Sequence, residues 1–353
     1  MSKDYKWKMT DGYPEKNGYK VFSCFACGGG STMGYKRAGF DVIGMNEIDP
    51  KMANAYITNH NPKHAFIEPI QSFKLRDDLP DELFDLDILD GSPPCSSFSI
   101  SGNREKDWGK EKKFKEGQAE QVLDTLFFDF IDLTKRLQPK VVVAENVKGM
   151  LMGEAKQYVR EVYKQFDDAG YYTQHWLLNG ADMGLPQKRQ RVFFISMRKD
   201  LANPFLIQKD MFTQVPKLDI EFNEKHVPFS EVFKDYEDRS LTPHFKNFWN
   251  LREKGDLDFS YSSERMGKNP NAAFNWKYIY NDKVANTITG GDVCVLFDRP
   301  RHRNKDELLL CSSFPKDYDF KGSKPEYIMG MSVPPLMIQK IAEQIRIQWL
   351  DKL

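Results

Sequence analysis

The chain has 353 residues, of which 40% are hydrophobic and 29% charged, and its 51 Lys plus Arg are matched by 51 Asp plus Glu. That is the composition of an ordinary globular protein, long enough for one large domain or two smaller ones, and a net charge of zero excludes nucleic-acid binding through bulk positive charge, leaving only local basic clusters for that purpose. No run of 18 or more apolar residues occurs, and the start, Met1-Ser2-Lys3-Asp4-Tyr5-Lys6, is not a signal peptide, so a cytoplasmic protein without membrane contact is expected.

The first 19 residues are polar and without period, and read as a loose leader. Tyr19 to Phe25 reads as a strand that runs through Gly28-Gly29-Gly30 into a helical pattern ending at Ala38-Gly39. Asp41 to Asn46 is a second strand, ending in Glu47. Pro50 to His60 has a helical pattern, and His64 to Ile67 a short strand pattern. Phe84-Asp85-Leu86-Asp87-Ile88-Leu89 reads as a buried parallel strand. Thr125 to Leu137 is apolar at helical spacing, Val141 to Ala144 is a buried strand, and a helix from Glu154 to Ala169 precedes strands at Tyr171 to Leu178 and Arg191 to Met197. This alternation over about 180 residues implies an α/β fold, a Rossmann-like, doubly wound, mostly parallel sheet with helices on both faces. It stops near Lys199. The expected organisation is a leader (1–19), a catalytic and cofactor-binding domain (20–199), a smaller irregular domain (200–300), a hinge (301–329) and a C-terminal segment (330–353) whose amphipathic helix, Pro334 to Trp349, returns to cover the first sheet.

Five cysteines, Cys24, Cys27, Cys95, Cys294 and Cys311, are too few and too scattered for a disulfide framework. Cys24-Phe25-Ala26-Cys27 has redox-pair spacing, but it lacks a second pair for zinc, and two small side chains at a strand end explain it equally. The glycine turn opening a helix lets backbone approach a ligand, and Glu47 stands at the end of the next strand, where a carboxylate accepts from ribose hydroxyls; an adenosine-bearing cofactor is expected. Cys95 follows Pro93-Pro94 on a stiff loop beyond a strand's carboxyl end, a platform that aims a nucleophile. Glu145-Asn146-Val147 adds a carboxyl just past Ala144, and Gln187-Lys188-Arg189-Gln190-Arg191 adds cations immediately before a strand. A nicotinamide dehydrogenase would use the turn and Glu47, yet it leaves Cys95 and the cations without work.

These segments, in this order, resemble the C5-cytosine DNA methyltransferases over about residues 20–198 and 284–349. Pro94-Cys95-x-x-Phe98-Ser99 matches the family's nucleophile loop, Glu145-Asn146-Val147 its ENV motif, Gln187-x-Arg189-x-Arg191 its QxRxR motif, and Gly330-Met331-Ser332-Val333-Pro334-Pro335 is similar to its GNSVPP motif. The resemblance implies a class I methyltransferase fold and S-adenosylmethionine as cofactor. It also implies a cytosine flipped out of double-stranded DNA and a covalent bond between Cys95 and C6. Glu145 would contact N3 and the exocyclic amine and Arg191 the cytosine carbonyl, with Arg189 supporting the loop and Asn146 bracing the nucleophile. Phe25, Ala26, Cys27, Gly28, Gly30, Glu47, Ile48, Ile70, Pro94, Leu126, Ser332 and Val333 would hold the cofactor. Ser99, Ser101 and Gln187 would meet DNA. Two positions depart from the pattern: Pro69 stands where the family has an Asp that accepts from adenine, and Met331 replaces an Asn. The segment from Ser99 to Thr125 would close over DNA, hinged at Gly102 and Gly109, with Lys106, Lys110, Lys112, Lys113 and Lys115 on phosphates. Residues 200–300 correspond to a target-recognition domain in which Arg239, His244, Lys246, Arg252, Arg265, Lys268 and Lys277 are candidate contacts, organised by Thr287 to Gly291. The family's tRNA-methylating branch is an alternative, although its nucleophile loop ends in Phe-Thr rather than Phe98-Ser99. A monomer is expected, of bacterial or phage origin, and a cognate restriction endonuclease is a partner the resemblance admits.

Overall fold

The structure, a computed structural model, describes residues 4–94, 125–153, 155–210, 213–269 and 273–353. The chain divides into two compact units. A sheet unit comprises Tyr13–Leu178, Gln190–Glu221 and Ile338–Leu353; a second unit comprises Met1–Gly12, Asn179–Arg189 and Phe222–Met337.

The sheet unit is assembled from β1 (Lys20–Cys24), α1 (Gly30–Arg37), β2 (Asp41–Asn46), α2 (Pro50–His60), β3 (His64–Phe66), α3 (Ile70–Phe73), β4 (Ile88–Gly91), α4 (Leu126–Leu137), β5 (Val141–Val147), α5 (Ala155–Asp168) and β6 (Tyr171–Asn179). Past β7 (Gln187–Lys188), which belongs to the second unit, it continues with β8 (Gln190–Arg198). The seven-stranded sheet has the order β3-β2-β1-β4-β5-β8-β6. β3, β2, β1, β4 and β5 pair in parallel, while β8 runs antiparallel to β5. The parallel strands are apolar on both faces because helices cover both. Val141, Val142, Val143 and Ala144 are all fully buried. Tyr158, Val162 and Phe166 in α5 recur every four residues and so form one stripe against the core, together with Phe127, Phe130 and Phe194.

Two strands differ from their sequence pattern. β4 starts at Ile88 rather than Phe84, because Pro80 opens a 3-10 turn over Asp81–Phe84 that leaves Phe84 exposed. Asp87 then accepts from the Lys20 amide at 2.7 Å and aligns β4 with β1. β5 does not end at Ala144 but continues to Val147, because β8 supplies ladder partners as far as Val147 opposite Arg191. Glu145 and Asn146 are therefore strand residues.

Residues 200–221 stay with the sheet unit. β9 (Leu206–Gln208) and β10 (Gln214–Pro216) form a hairpin, and Gln174 Nε2 donates to the Pro216 carbonyl at 2.7 Å. In the second unit lie α6 (Pro243–Asn250), α7 (Phe259–Arg265), β11 (Tyr278–Ile279), β12 (Ala285–Asn286), β13 (Val295–Leu296), α8 (Lys305–Ser312) and α9 (Pro325–Met331). Its core is aromatic, built on Phe248, Phe259 and Tyr278. Two buried ion pairs lock it, Arg301 with Glu307 at 2.8 Å and Arg303 with Asp292. The leader is held rather than loose from residue 5 onward. Tyr5 is buried, Trp7 Nε1 donates to the Ser313 carbonyl at 2.9 Å, and Asp317 accepts from the Met9 and Thr10 amides.

The returning helix, α10 (Pro335–Gln348), buries Ile338, Ile341, Ala342 and Ile345, and beyond it Trp349 is fully buried with its Nε1 donating to the Lys217 carbonyl at 2.7 Å. Truncating such a side chain removes both the packing and a donor. Trp349→Ala should destabilise the sheet unit by about 3–5 kcal/mol, read as a lowered thermal-unfolding midpoint; an unchanged midpoint would show that this helix is not integral to the unit.

Candidate active site

Between β1 and α1 the chain makes a tight turn. Phe25, Cys27 and Gly29 all have left-handed backbone, with φ of 52°, 47° and 78°. Such a turn needs anchors, because left-handed backbone at residues with a side chain costs about 1–3 kcal/mol each. Glu47, buried just past the end of β2, is one anchor: its two oxygens accept from the amides of Cys27 at 2.8 Å and Asp49 at 2.9 Å. Burial raises its pKa. His60, at the end of α2, is the other. Its Nε2 lies 3.4 Å from the Gly28 carbonyl oxygen, and a Cβ on Gly29 would fall 2.1 Å from the same nitrogen, so only glycine fits there. A carboxylate offers about four acceptor positions, and with the Ile48 amide also bonded to it three are taken. The fourth can receive a ribose hydroxyl, so the turn and Glu47 fit an adenosine-bearing cofactor. Ile48, Phe25 and Pro94 are half-buried, whereas Ala26, Ile70 and Leu126 are buried.

At the carboxyl end of β5, Glu145 Oε1 pairs with Arg191 Nε at 2.8 Å, both side chains being largely buried. The next residue, Asn146, donates from Nδ2 to the Pro93 carbonyl at 3.1 Å and accepts from the Val147 amide through Oδ1. Two consecutive residues of one strand thus hold a cation and the proline loop. Cys95, Ser99, Ser101 and the lysine-rich segment up to residue 124 lie outside the described residues.

The other half of the basic cluster belongs to the second unit. Arg189 is 2% exposed and its guanidinium donates to three backbone carbonyls, those of Ile288, Gly330 and Ser332, at 2.9–3.0 Å. A Cβ at Gly330 would lie 2.4 Å from the Thr289 carbonyl carbon, so the two segments pack backbone against backbone. Gln187, expected at the DNA, is fully buried; its amide donates to the Cys311 carbonyl at 2.9 Å and accepts from the Ile288 amide at 2.8 Å. Its polar atoms are spent inside the unit. Ser332 and Val333 are buried there too.

A family model described as C-5 cytosine-specific DNA methylase matches residues 19–346. The chain belongs to that family. Type II methyltransferase M.DdeI of Desulfomicrobium norvegicum is 35% identical over 382 residues, covering 93% of this chain and 88% of that protein. Type II methyltransferase M.FnuDI of Fusobacterium nucleatum is 36% identical over 182 residues, 52% of this chain and 48% of that one, so here the match spans about half of the relative's length. The solved structure of a Spodoptera frugiperda DNMT2 variant superposes with a TM-score of 0.61 at 16% identity, covering 93% of this chain and 99% of that one. The likeness establishes the class I methyltransferase fold.

For this methylase-family chain, the candidate recognition residues separate by what they already bond. Arg239 donates to the carbonyls of Arg303 and Asp292 and pairs with Glu326; Arg252 stacks 3.2 Å above the Trp249 ring; Arg265 is forked onto Asp256. These three build the unit. His244, Lys246, Lys268 and Lys277 are exposed. Sequence reasoning missed His60, whose only signal was an unremarkable position at a helix end. Among the described residues no helix is long and apolar enough to cross a membrane, and no cluster of three or more His, Cys, Asp or Glu is arranged to hold a metal ion. Cys24 of the C-x-x-C is buried at the end of β1, and burial, then Asp90, push its thiol well above its ordinary pKa.

Burial, and then Lys36, push the His60 imidazole down from 6.5 to about 3. The folded-state pKa is lower than the unfolded one, so this group's contribution is present above about pH 6.5 and is lost as the pH falls below it, amounting to about 2 kcal/mol at pH 5. His60→Gln should flatten the fall in melting temperature between pH 7 and 5; an equally steep fall would mean that other groups govern it. Arg189→Lys keeps the charge but not the fork. It should leave at least one of the three buried carbonyls without a donor, destabilising the second unit by about 1–3 kcal/mol, measurable as a lowered melting transition.

Proposed function

We propose that this chain is a DNA (cytosine-5) methyltransferase that uses S-adenosylmethionine to methylate C5 of a cytosine flipped out of duplex DNA, through a transient bond between Cys95 and C6. The observation that carries this reading is the pairing of roles on β5: Glu145 is held by Arg191 while its neighbour Asn146 holds the Pro93 carbonyl, two residues before Cys95. Family membership, the order of the motifs and the fit of the Glu47 turn to a ribose support it. C5 and C6 of a stacked cytosine are out of reach, so the base leaves the duplex. The Cys95 thiolate attacks C6. As electron density moves onto the ring, Glu145 delivers a proton at N3 and hydrogen-bonds the exocyclic amine. Arg191 steadies the Glu145 carboxyl and stabilises negative charge developing at the cytosine carbonyl. S-adenosylmethionine, when bound, supplies an electrophilic methyl group. A water molecule then takes the C5 proton, and the Cys95 sulfur leaves by elimination. Residues 222–300, the part of the expected 200–300 recognition segment that lies in the second unit, would read the target sequence, with Lys246, Lys268 and Lys277 exposed for phosphate contact. We further propose a cytoplasmic monomer, paired with a cognate restriction endonuclease.

Transfer of tritium from methyl-labelled S-adenosylmethionine to duplex DNA tests the reading. Cys95→Ala should abolish transfer and keep cofactor binding, and Glu145→Gln should lower turnover about 10²–10⁴-fold. Duplex carrying 5-fluorocytosine at the target should form an adduct that survives denaturation. Transfer to tRNA but not to any DNA, or full turnover by Cys95→Ala, would overturn the proposal.

A further inference from the structure

One buried acid has no part in the chemistry above. Asp90 lies on β4 opposite Ser23 of β1 and is 2% exposed. Ser23 Oγ donates to one of its oxygens at 2.8 Å and the Tyr35 hydroxyl to the other at 3.2 Å, and Ser31 also hydrogen-bonds it. Ser31 and Tyr35 are four residues apart in α1 and therefore share a face. Three hydroxyls from two elements thus converge on one carboxyl. Ser31 follows directly on the glycine turn, and Asp90 directly precedes Gly91 to Pro94, so the cluster links the turn to the strand that enters the proline loop.

We propose that Asp90 is a positioning residue that fastens the cofactor turn to β4 through Ser31, and that S-adenosylmethionine binds preferentially to the form in which Asp90 is ionised. The inference rests on the cofactor reading above. An ionised carboxyl accepts from all three hydroxyls at once. A protonated one has a hydrogen of its own to donate, so at least one hydroxyl must turn away, and the tether to the turn slackens. Burial opposes ionisation and the hydroxyls favour it; the balance lifts the Asp90 pKa to about 7. The titratable groups that act on it are Tyr35 from α1, Cys24 from β1, Tyr56 from α2 and Glu145 from β5. Burial pushes the pKa of Tyr35, Cys24 and Tyr56 upward, away from neutral pH.

Equilibrium binding of S-adenosylmethionine, measured by calorimetry between pH 6 and 8.5, tests this without involving turnover. The wild-type affinity should rise roughly threefold to tenfold per pH unit below 7 and level off above it. Asp90→Asn keeps an acceptor but cannot ionise; it should bind about tenfold more weakly at pH 8 with a flatter profile, and titration of the ligand itself is common to both proteins. Ser31→Ala leaves Asp90 in place and cuts the link, so it should lose the same pH dependence even if Asp90→Asn proves unstable. An Asp90→Asn or Ser31→Ala protein that keeps the wild-type affinity and profile overturns the inference. Wild-type protein that binds no S-adenosylmethionine at any pH sinks the cofactor reading and the inference with it, a result distinct from the other two.

Discussion

The antiparallel register of β8 against β5 is the constraint on which the site depends. In a sheet whose strands β3, β2, β1, β4 and β5 pair in parallel, this ladder sets Val147 opposite Arg191 and Glu145 opposite Phe193. Side chains alternate along a strand, so Glu145 and Arg191 come to one face and meet as an ion pair, while Asn146 between Glu145 and Val147 reaches the Pro93 carbonyl. A slip of one residue would send the carboxyl and the guanidinium to opposite faces and leave a charge buried without its partner. The apolar residues that follow on β8, Val192 to Ile195, are all fully buried and make that slip costly.

The cofactor turn shows how strain is held. Left-handed backbone at Phe25 and Cys27 opposes folding by about 1–3 kcal/mol at each residue, and hydrogen bonds to a charged group return about 1.5–3 kcal/mol each. The Cys27 amide bond to Glu47 therefore offsets part of that cost, and the Asp49 amide fixes the carboxylate that makes it. His60 and Asp90 approach it from α2 and β4, each nearly excluded from solvent and each hydrogen-bonded. Polar groups in such places fix a single geometry, since every alternative leaves a donor or acceptor unmet.

In the second unit a comparable role falls to arginines. Arg189 gathers two separate chain segments by three of their carbonyls, and Arg301 and Arg303 close onto Glu307 and Asp292. With few regular elements, this unit relies on planar guanidiniums to satisfy backbone that no ladder or helix satisfies. The cations that remain on its surface are mostly lysines, a suitable division if the exposed charges serve phosphate and the buried ones serve the fold.

The sequence alone determined the order of strands and helices, the glycine turn, Glu47 at the end of β2 and the returning helix, because each is a local pattern of apolar spacing or turn chemistry. It also carried the four motifs that place the chain in its family. It could not show that β5 extends through Asn146, since that depends on partners contributed by β8 some 45 residues later. Nor could it separate Arg191, which faces Glu145, from Arg189, which closes the second unit: both read as cations two positions apart, and only the break between the units after Arg189 assigns them to different work. Gln187, Arg239, Arg252 and Arg265 looked available for DNA because side-chain polarity is visible in a sequence, whereas the carbonyls and carboxylates that consume it are brought near by folding. His60 and Asp90 were invisible for the same physical reason: a buried polar residue is recognised by its neighbours, and long-range packing alone chooses those.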